Sequence, residues 1–276
     1  MRFTISSFAS ALLVASGVSA APANLSKDCT EPHIVAHTGT PQGQIQTIQN
    51  VTMYVTSVPN GVTHPLTKFA RRHVAVIYLS DVFGIELLQN KLLADSFARA
   101  GYLTIAPDMF AGDALSEDID LGTGVDMGAF LGKHNPMSQD PIIAKAIAYA
   151  RAQPNVQKIA IAGYCWGGRY AFRFLADGKG ADAAFAAHPS LLADSEISAI
   201  AGPVSVAYAE DDSMLLPARR LEMEALLLPT NQFYSTALYS GTHHGFAVRG
   251  DINDPEQKEG KEQAFLQAVR WFDNRL

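Results

Sequence analysis

The run Gly163-Tyr164-Cys165-Trp166-Gly167-Gly168 follows the apolar stretch Ile159-Ala160-Ile161-Ala162 and leads into a helical pattern from Arg169 to Leu175. A side chain at the apex of such a strand-to-helix turn is presented for attack. The turn is so tight that the residues two before and two after the apex must be small. Both of those positions are glycine, which makes Cys165 the candidate nucleophile. A thiolate attacks carbonyl carbon well, and the start of a helix favours it through its dipole and its free N–H groups. Such a nucleophile needs a base, and the base needs an acid to orient it. Glu210-Asp211-Asp212 ends the apolar run Val204 to Ala209, and Gly241-Thr242-His243-His244-Gly245-Phe246 follows the run Phe233 to Tyr239. The chain order nucleophile, acid, base fits a turn of this kind. Spacing alone does not separate Asp211 from Asp212, or His243 from His244.

These groups must be held by a scaffold, and its pattern is regular. Val74 to Leu79 is a short continuous apolar run of the type buried on both faces of a sheet. Helices are expected at about Leu87 to Ala100, Pro141 to Gln153, Leu216 to Leu228 and Pro255 to Leu276. Strands are expected at Gln46 to Thr56, Tyr102 to Ala106, Lys158 to Ala162, Ala183 to Ala187, Val204 to Ala209 and Phe233 to Tyr239. Strands separated by helices imply a doubly wound, mostly parallel α/β sheet with helices on both faces. Ligands of such a sheet bind at the carboxyl ends of its strands. Ala111 to Lys133, rich in acids and glycine, reads as a lid-like loop and not as a second domain.

The chain of 276 residues is 48% hydrophobic and 17% charged, enough for one large core and too apolar for disorder. A net charge of -6 leaves no basic excess for phosphates, which excludes nucleic acid as the expected partner. Arg2, the apolar Phe8 to Ala15 and the small Val18-Ser19-Ala20 read as a secretory leader cleaved after Ala20, leaving one domain over 21–276. The apolar stretch is shorter than the ~20 residues a membrane span needs. Sequons at Asn24 and Asn50 suit the exported route and mark the chain as a candidate glycoprotein. The two cysteines, Cys29 and Cys165, are too few for a disulfide scaffold and lack metal-ligand spacing. No glycine-rich nucleotide pattern and no paired histidine ligands occur, so neither cofactor nor metal is expected.

Taken together, these motifs resemble the dienelactone hydrolase family of the α/β-hydrolase superfamily, most closely its fungal branch. The carrying residues are 163 to 168 above, Ser-Asp-Val-Phe-Gly-Ile at 80 to 85, Ala-Pro-Asp-Met-Phe at 106 to 110, Ala-His-Pro-Ser at 187 to 190 and His-Gly-Phe-Ala-Val-Arg-Gly-Asp at 244 to 251. The resemblance covers roughly residues 36 to 276. It implies Cys165, Asp212 and His244 as the catalytic set, with His243 a neighbour. It also implies an oxyanion site made by the N–H groups of Val82 and Trp166. The family places a glutamate against the resting thiol where this chain has Asp81, one methylene shorter. Bacterial members grip a substrate carboxylate with arginines, whereas 108–140 contains no arginine and Arg249 falls one position later than the bacterial one. Trp166, Phe83, Tyr164 and His188 are candidates to line a more apolar pocket.

The expected activity is therefore hydrolysis of small-molecule lactones or carboxylic esters by a secreted, monomeric, cysteine-dependent enzyme. The rival readings are a hydrolase of a polyketide pathway, a cysteine peptidase, and a secreted binding or antigenic protein that retains the fold with little turnover.

Overall fold

A computed structural model describes residues 35–57, 73–119 and 122–276. The leader, Cys29 and Asn24 lie outside the described residues. Those described belong to one compact unit, Ile34–Leu276.

Eight strands form one sheet: β1 (Gln44–Ile48), β2 (Val51–Thr56), β3 (Val74–Leu79), β4 (Leu103–Pro107), β5 (Lys158–Tyr164), β6 (Ala183–Ala187), β7 (Val204–Asp211) and β8 (Tyr234–His243). Their spatial order is β1-β2-β4-β3-β5-β6-β7-β8. From β4 to β8 every pairing is parallel, as expected. Every residue of β3, β6 and all but the first of β5 is buried, so the centre of the sheet is covered on both faces. Full burial of a Val, Leu or Ile side chain contributes about 1.5–3 kcal/mol, which makes this apolar centre the anchor of the fold.

The helices are α1 (Leu88–Arg99), α2 (Met127–Lys133), α3 (Pro136–Arg151), α4 (Trp166–Phe174), α5 (Asp194–Ser198), α6 (Pro217–Leu227), α7 (Phe246–Arg249) and α8 (Pro255–Arg275). They form two groups. α1 and α8 meet through Phe97 and Phe265, whose rings lie 4.8 Å apart. α3, α4 and α5 are tied by Arg173, which donates to Asp140 (2.7 Å) and Glu196 (2.8 Å).

Three expectations are corrected. Gln46 to Thr56 is not one strand but the hairpin β1–β2, antiparallel to each other, with β2 also antiparallel to β4. The break is the turn Gln49-Asn50, both left-handed (φ 51° and 62°), a two-residue connection of the kind that asparagine tolerates. Asn50 is exposed at its tip. The lid-like segment 111–133 contains α2, whose Asp126 N-cap accepts from the Ala129 N–H at 2.9 Å. The helix expected from Pro141 starts five residues earlier, at Pro136. The Asn135 side chain caps it, Pro136 occupies its first position, where a missing N–H costs least, and Pro141 lies inside the helix. The short α5 and α7 have too few residues to show helical periodicity.

Candidate active site

At the end of β5 the backbone of Cys165 takes φ 50° and ψ -110°, a conformation that L-residues rarely adopt and that costs on the order of 1–3 kcal/mol. Glycines make it possible. A Cβ on Gly163 would fall on the carbonyl of Gly167, and one on Gly167 would fall on that of Leu79. The turn is fastened by the Gly167 N–H donating to the Ser80 carbonyl (3.1 Å) and the Cys165 N–H to that of Ala187 (3.1 Å). Cys165 itself is a free, buried thiol, 5% exposed.

β7 and β8 bring up the two other groups. Their register shifts between the pairs Ala209↔Tyr239 and Asp211↔His243, so β8 advances four residues while β7 advances two. Gly241, at φ +64°, lies within this bulge. The shift sets two acid–imidazole pairs side by side. Asp211 and His243 are exposed and 3.3 Å apart on the surface. Asp212 is buried and His244 partly so: the His244 Nδ1–H donates to Asp212 Oδ1 at 2.8 Å, and His244 Nε2 lies 3.1 Å from Cys165 Sγ. Asp212 Oδ1 also accepts from the N–H groups of Met214 and Leu215, both at 2.9 Å, which fixes the carboxylate. Geometry thus separates the two pairs that spacing left equal. Burial works against a charge on His244, but the sulfur of Cys165 and the carboxylate of Asp212 outweigh it and push the imidazole up to about 10.

His188 stands behind this imidazole, the ring centroids 5.0 Å apart. It is fully buried and neither ring nitrogen has a hydrogen-bond partner. Burial, together with the proximity of His244 and Arg249, holds it well below the usual histidine range. A neutral ring here leaves His244 as the imidazole of the pair that carries charge.

Asp81 is fully buried at the end of β3, yet its recorded partners do not include the thiol. Oδ1 accepts from Asn90 Nδ2 (2.9 Å) and the Phe83 N–H (3.2 Å), and Oδ2 from Arg249 Nε (3.3 Å). Asn90 in turn accepts from the Tyr78 hydroxyl at 2.7 Å. Burial raises the Asp81 carboxyl above its usual value, opposed by Arg249, Asn90 and the Phe83 N–H. The aspartate therefore braces the segment 81–84. Within that segment the Val82 N–H, like the Trp166 N–H, has no recorded acceptor among the described residues. Both are available for a ligand oxygen.

The aromatic residues expected to line a pocket are all buried, as is Cys165 itself. Trp166, Tyr164 and His188 are buried, Tyr164 stacking on Tyr78 at 5.0 Å. Phe83 carries the guanidinium of Arg249 at 4.5 Å from its centroid. Two participants had no individual role in the sequence reading. Asn90 sits in an ordinary helical pattern. Ser190, 2% exposed, places Oγ 3.5 Å from Cys165 Sγ. The only signal of the latter was its place at the end of the Ala-His-Pro-Ser run. Among the described residues no group of three or more His, Cys, Asp or Glu could hold a metal ion. No described helix is long and apolar enough to cross a membrane.

Comparison with known proteins agrees with this architecture. Residues 62–276 match the family model described as the dienelactone hydrolase family. The hydrolase pyvD of Aspergillus violaceofuscus is 35% identical over 87% of this chain and 93% of its own. The dienlactone hydrolase 1 of Gibberella moniliformis is 30% identical over 86% and 89%. Among solved structures, a putative dienelactone hydrolase from Klebsiella pneumoniae superposes with a TM-score of 0.65 at 19% identity, covering 84% of this chain and 98% of that one. With an α/β-hydrolase fold and a match across most of its length, the chain belongs to the dienelactone hydrolase family.

Proposed function

We propose that the protein is a cysteine-dependent hydrolase of lactones and carboxylic esters, with Cys165, His244 and Asp212 as its catalytic set. The observation that carries this is the unbroken line from Cys165 Sγ through His244 to Asp212, with contacts of 3.1 and 2.8 Å. In the reaction, His244 Nε2 takes the thiol proton and the thiolate attacks the carbonyl carbon. The oxyanion is held by the N–H groups of Val82 and Trp166. His244 returns the proton to the departing alkoxide, which leaves a thioester on Cys165. In a lactone the freed hydroxyl remains tethered to the acyl group. Water, deprotonated by His244, then attacks the thioester carbonyl, and the thiolate leaves with the acid released.

Substrate choice follows from Arg249. Its Nε donates to Asp81 and its guanidinium lies over Phe83, so this arginine has protein partners of its own, and with no arginine in 108–140 neutral esters and lactones are the expected substrates. Acid quenching of the enzyme during turnover of 4-nitrophenyl acetate should leave an acetyl group on the peptide containing Cys165, read by mass spectrometry. Full turnover by Cys165→Ala, with the fold intact, would refute the mechanism.

Residues 1–20 carry the further proposal that the enzyme is exported. Sequencing the N-terminus of the protein recovered from the medium of an expressing host should begin at Ala21. Retention of Met1 in an intracellular product would count against it.

A further inference from the structure

We propose that Ser190 is a catalytic residue whose hydroxyl donates a hydrogen bond to the Cys165 sulfur and stabilises its thiolate; the proposal rests on Cys165 being the nucleophile. Ser190 Oγ and Cys165 Sγ are 3.5 Å apart in a buried setting, and the hydroxyl has no other partner among the described residues. Bookkeeping of protons gives the direction. The His244 Nδ1–H is used on Asp212, so in the neutral ring Nε2 is the bare nitrogen and receives the thiol proton. The sulfur has then only lone pairs to offer Ser190, and the hydroxyl must be the donor. Once the proton has moved to His244 the same bond acts on a full negative charge and becomes charge-assisted. Asp81 does not compete for this place, because its oxygens are engaged by Asn90, the Phe83 N–H and Arg249.

The loop that carries Ser190 is built at a cost in backbone strain. His188 and Leu191, on either side of it, have φ 38° and 54°, a left-handed region unfavourable for residues with a Cβ. Burial of Leu191 does not offset this, since its side chain is half exposed. The loop is instead pinned to the nucleophile's own turn. The Ser190 N–H donates to the Cys165 carbonyl (3.1 Å), the Cys165 N–H to the Ala187 carbonyl (3.1 Å) and the His188 N–H to the Ala207 carbonyl (2.8 Å). Pro189 packs so closely on Gly168 that a Cβ there would come within 2.9 Å of it. Local strain held by two hydrogen bonds to the backbone of Cys165, by packing on Gly168 and by one bond to Ala207 marks a loop whose position relative to the nucleophile's turn matters.

The test reads the thiol and not the hydrolysis. Iodoacetamide modification of the Cys165 peptide, followed by mass spectrometry across pH 5 to 10, reports the thiolate fraction of that residue separately from Cys29. In Ser190→Ala the midpoint is expected to rise by about one pH unit, the size of a single lost charge-assisted contact. Ser190→Thr should restore most of it. If Ser190→Ala melts early, Ser190→Thr against Ser190→Val compares two side chains of similar volume that differ in the hydroxyl. A midpoint that stays in place, or falls, overturns the proposal, because a hydroxyl acting as acceptor from S–H would shift it down on removal. The nucleophile reading fails separately, if Cys165→Ala still hydrolyses esters.

Discussion

Cys165→Ala is expected to lower kcat/KM for 4-nitrophenyl esters and small lactones by about 10⁴-fold or more, with the fold intact. The size follows from what remains. Without the sulfur there is no covalent step, and the N–H groups of Val82 and Trp166 can only polarise a carbonyl for direct attack by water, which leaves a small residue of the catalysis. Cys165→Ser is the sharper comparison. Its hydroxyl occupies the same strained backbone position (φ 50°), but it must be deprotonated during attack, whereas a thiol gives up its proton before it. The serine variant is expected to keep less than about a hundredth of the wild-type rate, the scale of a mismatched general base. Steady-state kinetics with a thermal melt of each variant checks both points. Wild-type rates in the alanine variant would end the mechanism.

Asp212→Asn is expected to reduce kcat by roughly 10³–10⁴-fold, because an amide presents a donor where His244 Nδ1 needs an acceptor and favours the wrong tautomer. It should also change the pH profile in a fixed direction. His244 is buried, which disfavours its charge, but the Cys165 sulfur and Asp212 push its imidazole up to about 10. The proton that His244 gives to the leaving alkoxide is therefore held until the pH passes that value, and the alkaline limb of kcat/KM lies near it. Removing the carboxylate removes one of the influences that hold the proton on, so the limb moves to lower pH. The linked stability has the same sign: the raised imidazole contributes fully below its ordinary value of 6.5 and loses that contribution as pH rises through about 10. His243→Ala, on the exposed pair with Asp211, serves as the control. A pH profile of Asp212→Asn that overlays the wild type, or a rate within tenfold of it, would remove Asp212 from the set.

Much of this was legible in the chain because its signals are local. The apolar run of β5, the two glycines around Cys165 and the helix behind them lie within seventeen residues of sequence, from Ile159 to Leu175, and steric necessity ties them together. The parallel part of the sheet was readable for the same reason, since strands buried on both faces are continuous apolar runs. What escaped depends on distance or on small numbers of residues. The β1–β2 hairpin hides in a stretch rich in β-branched residues because its turn, Gln49-Asn50, contains no glycine. The orientation of Asp81 is decided by Asn90 and Arg249, nine and 168 positions away. Spacing left Asp211 and Asp212 equal and only the resemblance pointed to Asp212; in the structure the two are separated by a bulge around Gly241 of β8, a feature of register that spacing does not announce. Ser190 reaches Cys165 through a loop of unusual torsions, and side-chain identity does not encode torsions when no glycine marks them.

The contacts around the sulfur span 25, 79 and 32 positions of the chain, from Ser190 to Cys165, from Cys165 to His244 and from Asp212 to His244. None is made within a single hairpin or helix, so no folding intermediate short of β8 and the turn after it can assemble the site. During synthesis the thiol of Cys165 and the carboxylate of Asp212 both emerge before the imidazole of His244. On the proposed mechanism the enzyme is its own latch: chemistry switches on when the last strand docks, and a chain still unfolded carries none of it.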